Sequence, residues 1–250
     1  MISLAARRHP GLAMRPALFL FALLMPLVLL VGCRQQGEWF QLEGVALGTG
    51  YHITLNGDLG EGESALVEAA IQGELVSLDS ELAFLRRLVT ASLLPLPVAQ
   101  VPDAVGEALR EQLQVLAVDR LFRVLDEFGI ANAMVELGGV QRARGMAGRH
   151  PWRVRLPRSG AGEAETHALR LQDAALVHRA VPEPAAIEAA GRVLAVSAVA
   201  PSAEAADRLA RELLAAAPDD TLEHPARLVV LTPQGIEIHT GSALEPLLDR

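Results

Sequence analysis

The residues of this chain able to do chemistry are few, and their types exclude several mechanisms at once. All 22 basic residues are arginine. Without a lysine there is no Schiff-base chemistry, no lysine general base and no phosphate-loop lysine. The single cysteine, Cys33, excludes an intrachain disulfide and a cysteine-rich zinc site. The histidines, at positions 9, 52, 150, 167, 178, 224 and 239, show no HxxxH or HExxH spacing, so no local zinc motif exists. Ser197 lacks the GxSxG context of an esterase nucleophile. What remains is Asp207 with Arg211, four apart in an expected helix and therefore on one face, and Glu136, just before the Gly138-Gly139 pair. The plain reading of Asp207 and Arg211 is a solvated helix pair worth about 0.2–0.5 kcal/mol, and that of Glu136 is a solvent-facing strand position. Asp119, on a helix, suits surface or capping chemistry.

The elements that must position these residues are marked by local signals. Leu121, Val124, Leu125 and Phe128 recur at helical spacing and Gly129 follows them, which predicts a helix from about residue 104 to 128 that Asp103 can cap. Residues 131–137 then read as a strand, Gly138-Gly139 as a turn, 140–144 as a second strand, and Pro151-Trp152 as the opening of a third. That unit is a helix feeding a meander. Earlier in the chain, alternation over residues 45–55 predicts one strand with Leu47, Thr49 and Tyr51 on one face and Gly48 and Gly50 on the other. Residues 64–88 form an amphipathic pattern with a possible break at 77–80, and Pro95, Pro97 and Pro102 mark an extended connector. Strands are expected at 167–171, 174–177 and 193–199, a helix after Pro201-Ser202 at 203–216, and a closing hairpin at 227–232 and 236–240. Residues 181–190 give no readable pattern. Without an internal repeat or regular alternation, the class is α+β, with mixed sheet layers and packed helices in one compact domain.

The chain has 250 residues, 51% of them hydrophobic, and a formal net charge of -8. No basic cluster tracks a phosphate backbone, so nucleic acid is not an expected partner. Arg7, Arg8 and Arg15 precede an uncharged apolar run over 17–32, too short to span a membrane comfortably but suited to a signal-peptide core. The run ends Leu30-Val31-Gly32-Cys33, which resembles the bacterial lipobox. That resemblance implies a cleaved signal peptide at 1–32, a lipidated Cys33, a tether at 33–42 and a body at 43–250. Cleavage would remove three arginines and no acid, leaving the body three units more negative than the whole chain. Acyl chains bind a membrane at about 0.8 kcal/mol per buried methylene, so the expected location is a membrane-anchored, exported protein facing the periplasm.

Six short pieces occur in an order that resembles the FAD:protein FMN transferases, the ApbE-type flavin-transfer family. Leu47-Gly48-Thr49-Gly50-Tyr51 resembles the family's MGTxY strand, and Asp79-Ser80-Glu81-Leu82 its SEL helix boundary. Ala117-Val118-Asp119 resembles the end of AKGYAVD. Glu136-Leu137-Gly138-Gly139 with Arg142 to Gly145 resembles EIGGxxRxxG, and Pro151-Trp152-Arg153 resembles PWR. Residues 197–209, SAVAPSAEAADRL, resemble VVAPSxxxADAL. The resemblance implies FAD and Mg²⁺ as cofactors, transfer of FMN to a threonine or serine of a partner, and an envelope redox or flavoprotein partner. It also implies a flavin site at Leu47, Gly48, Thr49, Gln114, Glu136, Gly138, Gly139 and Arg211, and a metal site at Asp207 and the backbone of Ala210.

The departures from the family pattern fall on its chemistry. The family's metal-binding threonine corresponds to Arg211, which has no lone pair to give and remains cationic. The flavin-contacting lysine corresponds to Gln114. The HxIDPxTG stretch is missing, with residues 179–190 in its place, and the segment walling the flavin site is compressed to about 88–114. The expected function is therefore a catalytically degenerate binding or assembly module for envelope redox proteins. The alternative is an active, shortened Mg²⁺-dependent transferase. A further expectation is that Arg211 supplies fixed positive charge in place of the metal, so that a phosphate-containing ligand binds without magnesium.

Overall fold

The computed structural model describes residues 38–92, 103–157, 167–181, 191–217 and 223–249. These all fall in one compact unit, Gly37–Arg250. The expected signal peptide, Cys33, the proline connector and nearly all of 181–190 lie outside the described residues.

The described strands build an eight-stranded sheet in the order β1 (Glu38–Ala46), β2 (Thr49–Gly57), β3 (Ala133–Leu137), β4 (Val140–Arg144), β7 (Ala174–Ala180), β8 (Arg192–Ala200), β9 (Ala226–Thr232) and β10 (Gly235–Thr240). Each pairing in it is antiparallel. One row of small and apolar side chains, Tyr51, Leu137, Val140, Val177, Ala198 and Ala226, crosses the sheet in register. Strand alternation puts that row on one face, where three helices cover it. These are α1 (Glu61–Ser92), α2 (Asp103–Glu127) and α3 (Ala203–Ala215). Helices α1 and α2 bury Ile71, Leu78, Leu121 and Phe122 over β1 to β4, and α3 buries Ala210 and Leu213 over β8 and β9. The other face carries a two-stranded hairpin, β5 (Trp152–Arg155) with β6 (Ala168–Leu171), whose Trp152, Val154 and Leu169 pack with Ala143, Leu176 and Val199.

The expected α+β class is observed, with four local corrections. The single strand over 45–55 is instead a hairpin: Leu47 (φ 50°) and Gly48 (φ 72°) both turn left-handed between β1 and β2. The turn inverts the alternation, so that Ala46 shares a face with Thr49 and Val45 is exposed; only Val45 and Ala46 of the 45–55 window precede the turn, too few to reveal the change of phase. Gly48 is therefore a turn residue. The strand opened by Trp152 leaves the meander, because β4 pairs with β7 and β5 pairs with β6. Helix α1 runs without a break through 77–80, so Asp79 to Leu82 mark no boundary; Leu75, Leu78 and Leu82 keep its inner face buried across the expected break. Finally, residues 38–42 of the expected tether already belong to β1.

Motif residues act as ties between these elements. Arg120 of α2 bonds Glu74 (2.5 Å) and Glu81 (2.8 Å) of α1. Asp119 accepts from the backbone N–H groups of Ala203 and Glu204 (both 3.0 Å) at the start of α3, and from Arg142 of β4 at 2.7 Å. Arg142 in turn lies 4.6 Å over the Phe122 ring. Asp119 is thus a capping residue, as its sequence position suggested, and Ser202 supplies the local cap by accepting from Ala205 N–H.

Candidate functional site

Both expected site clusters sit at the end of the sheet where the β1–β2 and β3–β4 turns meet. Four residues in those turns take positive φ: Leu47, Gly48, Gly138 and Gly139. The side chain of Gln114, on α2, lies between the turns. Its Nε2 donates to Leu47 O at 3.4 Å, and a Cβ at Gly138 would come within 2.4 Å of its Oε1. Asp79 reaches the same turn from α1 and accepts the Leu47 N–H at 2.9 Å. Leu47 is fully buried and Thr49 half-buried beside it. The expected flavin residues Leu47, Gly48, Gln114 and Gly138 are therefore neighbours, and the position resembling the flavin lysine is a buried amide packed between two turns.

On the helix face the sequence places Asp207 in α3 and Arg211 one turn later. Strand β7 adds Arg179, which alternation points to the same face. Arg179 Nε donates to Asp207 Oδ1 at 2.6 Å, Arg211 Nε donates to Oδ2 at 2.9 Å, and Gln112 Nε2 donates to Oδ2 at 3.1 Å. Glu111 approaches both guanidinium groups, at 4.0 Å from Arg179 and 3.9 Å from Arg211. The Asp207 side chain is only 7% exposed. Burial alone would raise its pKa, but the Arg211 hydrogen bond, the Arg179 charge and the Gln112 and Arg179 hydrogen bonds outweigh it and hold the carboxyl below its usual range. The sequence-level view of a solvated helix pair is corrected accordingly: the pair exists, but its acid is buried and held by three donors.

This donor set does not fit a divalent cation. Magnesium needs oxygen lone pairs in near-octahedral array. Both Asp207 oxygens already accept, and two guanidinium groups occupy the approaches. Ala210, the expected backbone ligand, is fully buried against the apolar floor beneath α3. Among the described residues no cluster of three His, Cys, Asp or Glu could hold a metal. The two arginines also face two acids, so the cluster is balanced in formal charge, which weakens the expectation that Arg211 offers unopposed positive charge to a phosphate.

The opposite face holds an open groove of about 480 Å³ lined by Glu136, Gly138, Gly139, Gln141, Leu176 and His178, among others. Glu136 therefore borders the groove from β3, and does not share the Asp207 cluster. His178 Nδ1 lies 3.0 Å from Ser197 Oγ across the β7–β8 register. Burial first, and then the adjacent Arg179 charge, lower the His178 pKa, which favours the neutral ring near pH 7. Gln141 Oε1 in this groove, and Arg179 Nη2 on the helix face, are buried without a hydrogen-bond partner among the described residues.

The sequence singles out Asp207, Arg211, Gln114 and the glycine turns, but not Arg179, Gln112 and Glu111, which gather around Asp207, or His178, which lines the groove. Arg179 meets Asp207 across 28 residues and Gln112 meets it across 95. No spacing rule links positions so far apart.

The ApbE family model matches residues 114–229, which include Gln114, Glu136, the glycine turn, Arg179 and Asp207. The fold is that of solved flavin transferases. A flavin transferase ApbE from Vibrio cholerae superposes with a TM-score of 0.60 at 18% identity, covering 84% of this chain and 99% of its own. The apo flavinyl transferase ApbE from Pseudomonas stutzeri gives 0.59 at 16% identity, covering 86% and 98%. The ApbE protein from Thermotoga maritima gives 0.56 at 16%, covering 85% and 100%. No curated protein matches the sequence.

Proposed function

We propose that this ApbE-like chain is an exported, membrane-anchored lipoprotein that uses a flavin-transferase fold as a binding or assembly module for envelope redox proteins, without the metal-dependent transfer step. The observation that carries this reading is Asp207, whose two oxygens are both taken by Arg179, Arg211 and Gln112. Moving FMN out of FAD is a phosphoryl transfer, and such reactions depend on a hard cation at the pyrophosphate oxygens to neutralise developing charge. With the position resembling the metal site closed by side chains, and the lysine absent from the whole chain, the chemistry loses its electrostatic support while the scaffold persists. Binding remains feasible. The groove beside Glu136 and His178 is open, and Gln141, which also lines it, has a buried Oε1 without a hydrogen-bond partner among the described residues. Export and lipid attachment at Cys33 rest on the lipobox-like Leu30-Val31-Gly32-Cys33.

The test is incubation of the protein with FAD, Mg²⁺ and an acceptor domain bearing a threonine target. The expected result is no covalently flavinylated acceptor at any magnesium concentration. Labelled acceptor that disappears with EDTA would establish the alternative, an active Mg²⁺-dependent FMN transferase. Mass analysis of the mature N-terminus checks the anchor: a diacylglyceryl-modified Cys33 is expected, and an uncleaved Met1 terminus would remove it.

A further inference from the structure

Helix α1 spans 32 residues, Glu61–Ser92, which is about 48 Å at 1.5 Å per residue. Its inner face, Val67, Ile71, Leu75, Leu78 and Leu82, is buried. The face directly opposite is unusual for a helix lying on a sheet. Leu66, Ala69, Gly73, Val76, Ser80 and Ala83 follow one another at steps of three and four, the spacing of a coiled-coil seam. All six are exposed, Leu66 by 62% and Val76 by 64%, and neighbouring Phe84 by 53%. No charge interrupts this seam from Leu66 to Ala83. A helix apolar on both sides needs a second cover. The helix is not long and apolar enough to cross a membrane.

Gly73 sharpens the point. Glycine in a helix interior costs about 1 kcal/mol relative to alanine, yet a Cβ added there would meet nothing within 4 Å. No contact described within this chain asks for a missing side chain at Gly73. A second helix approaching this face would.

We infer that the outer face of α1 packs antiparallel against the same face of a second copy of this chain. The charges at its two ends select both partner and direction. Glu63 flanks the N-terminal end of the seam, next to Gly62, and Arg87, four residues after Ala83, continues it at the C-terminal end opposite Gly62 of an antiparallel copy. An antiparallel pair sets Glu63 of each copy against Arg87 of the other, whereas a parallel pair stacks like charge on like. The seam is also self-complementary in size. Around a two-fold axis between Gly73 and Val76, Leu66 faces Ala83 and Val76 faces Gly73, a large side chain on a small one in each case, and Ala69 faces Ser80, a pair of small ones that lets the helices approach. The surface is separate from the Asp207 cluster and the groove, and the inference does not depend on the proposed function.

Cysteine cross-linking of the full-length chain in whole cells tests it, with the wild type, which carries only Cys33, as background. Val76→Cys lies beside the axis and is expected to give a covalent dimer with a short bis-maleimide. Ala83→Cys alone is expected to give none, because its own counterpart sits about 25 Å along the helix pair. Chains carrying Leu66→Cys and Ala83→Cys, co-expressed with different tags, are expected to link to each other. Gly73→Glu should reduce the Val76→Cys dimer at least tenfold without unfolding the chain, since an added Cβ at Gly73 meets nothing within 4 Å and glutamate is a better helix former than glycine. Absence of a Val76→Cys dimer, linkage to a different protein, or self-linkage of Ala83→Cys at the level of Val76→Cys would overturn the inference. The last outcome would indicate a parallel pair.

Discussion

Arg179 Nε and Asp207 Oδ1 stand 2.6 Å apart, joining the end of β7 to the middle of α3 where the chain's resemblance to flavin transferases leads one to expect a metal ion. The pair belongs to a buried network with Gln112 and Arg211. Its role as an internal tie has measurable consequences.

Asp207→Ala leaves the Arg179 guanidinium buried without its counter-charge. Removing one partner of a buried pair costs about 3–5 kcal/mol, and a loss of that order is expected in urea unfolding. Arg211→Ala removes a side chain that is 45% exposed, so solvent screening limits its cost to about 1 kcal/mol or less. Equal losses in the two variants would show that Arg179 is not the dominant partner.

Acid should act through the same carboxylate. The Asp207 pKa is lower in the folded protein than in the unfolded chain, so the unfolded state takes up protons first as the pH falls. The stability it contributes is complete above the unfolded carboxylate value of about 3.9 and is lost as the pH drops through the folded value. Asp207→Asn should start less stable at pH 7 and show a flatter stability curve below about pH 4. Parallel curves for wild type and variant in that range would refute the assignment.

His178 gives a second limb at milder pH. Its pKa is also lowered by folding, here because burial and Arg179 disfavour the imidazolium. The unfolded chain binds its proton from about pH 6.5 downward while the folded protein does not, so stability falls as the pH drops below that value. His178→Gln should remove this part of the slope between about pH 6.5 and 5 and leave the acid limb intact. NMR titration of the ring is the direct check, with a midpoint below 6.5 expected.

Gly138 and Gln114 form a steric couple. At φ 59°, Gly138 has Gln114 Oε1 where a Cβ would stand. Gly138→Ala should cost about 2–3 kcal/mol, from the clash and from the left-handed backbone together. Gln114→Ala in the same chain should recover the clash portion but not the backbone portion. A double-mutant cycle showing simple additivity would mean that the two residues do not share this space.

The sequence marks most elements because each one announces itself locally. Gly129 closes α2, Gly138-Gly139 turns β3 into β4, and Ser202 caps α3. The Leu47-Gly48 turn is hidden because nearly all of the alternating window lies after it, leaving Val45 and Ala46 too short a flank to show the inverted phase, and Leu47 is not a residue expected at positive φ. The exit of β5 from the meander was hidden for a different reason: whether a strand continues a sheet or leaves it depends on what its faces cover. At the site, Asp207 and Arg211 were legible as a pair because a helix fixes their spacing. Arg179 was not, since its partner is chosen by the register of β7 against β8 and the docking of α3, both of which are long-range outcomes.

The two Asp119 hydrogen bonds to Ala203 and Glu204 carry one more consequence. The first turn of a helix is a common landing place for phosphate, because its free N–H groups and the helix dipole both favour an anion. At the start of α3 that place is already taken by a carboxylate of the chain itself, with Ser202 holding the Ala205 N–H. A phosphorylated ligand approaching α3 along its axis would find these N–H groups already bonded to a carboxylate that Arg142 holds in place.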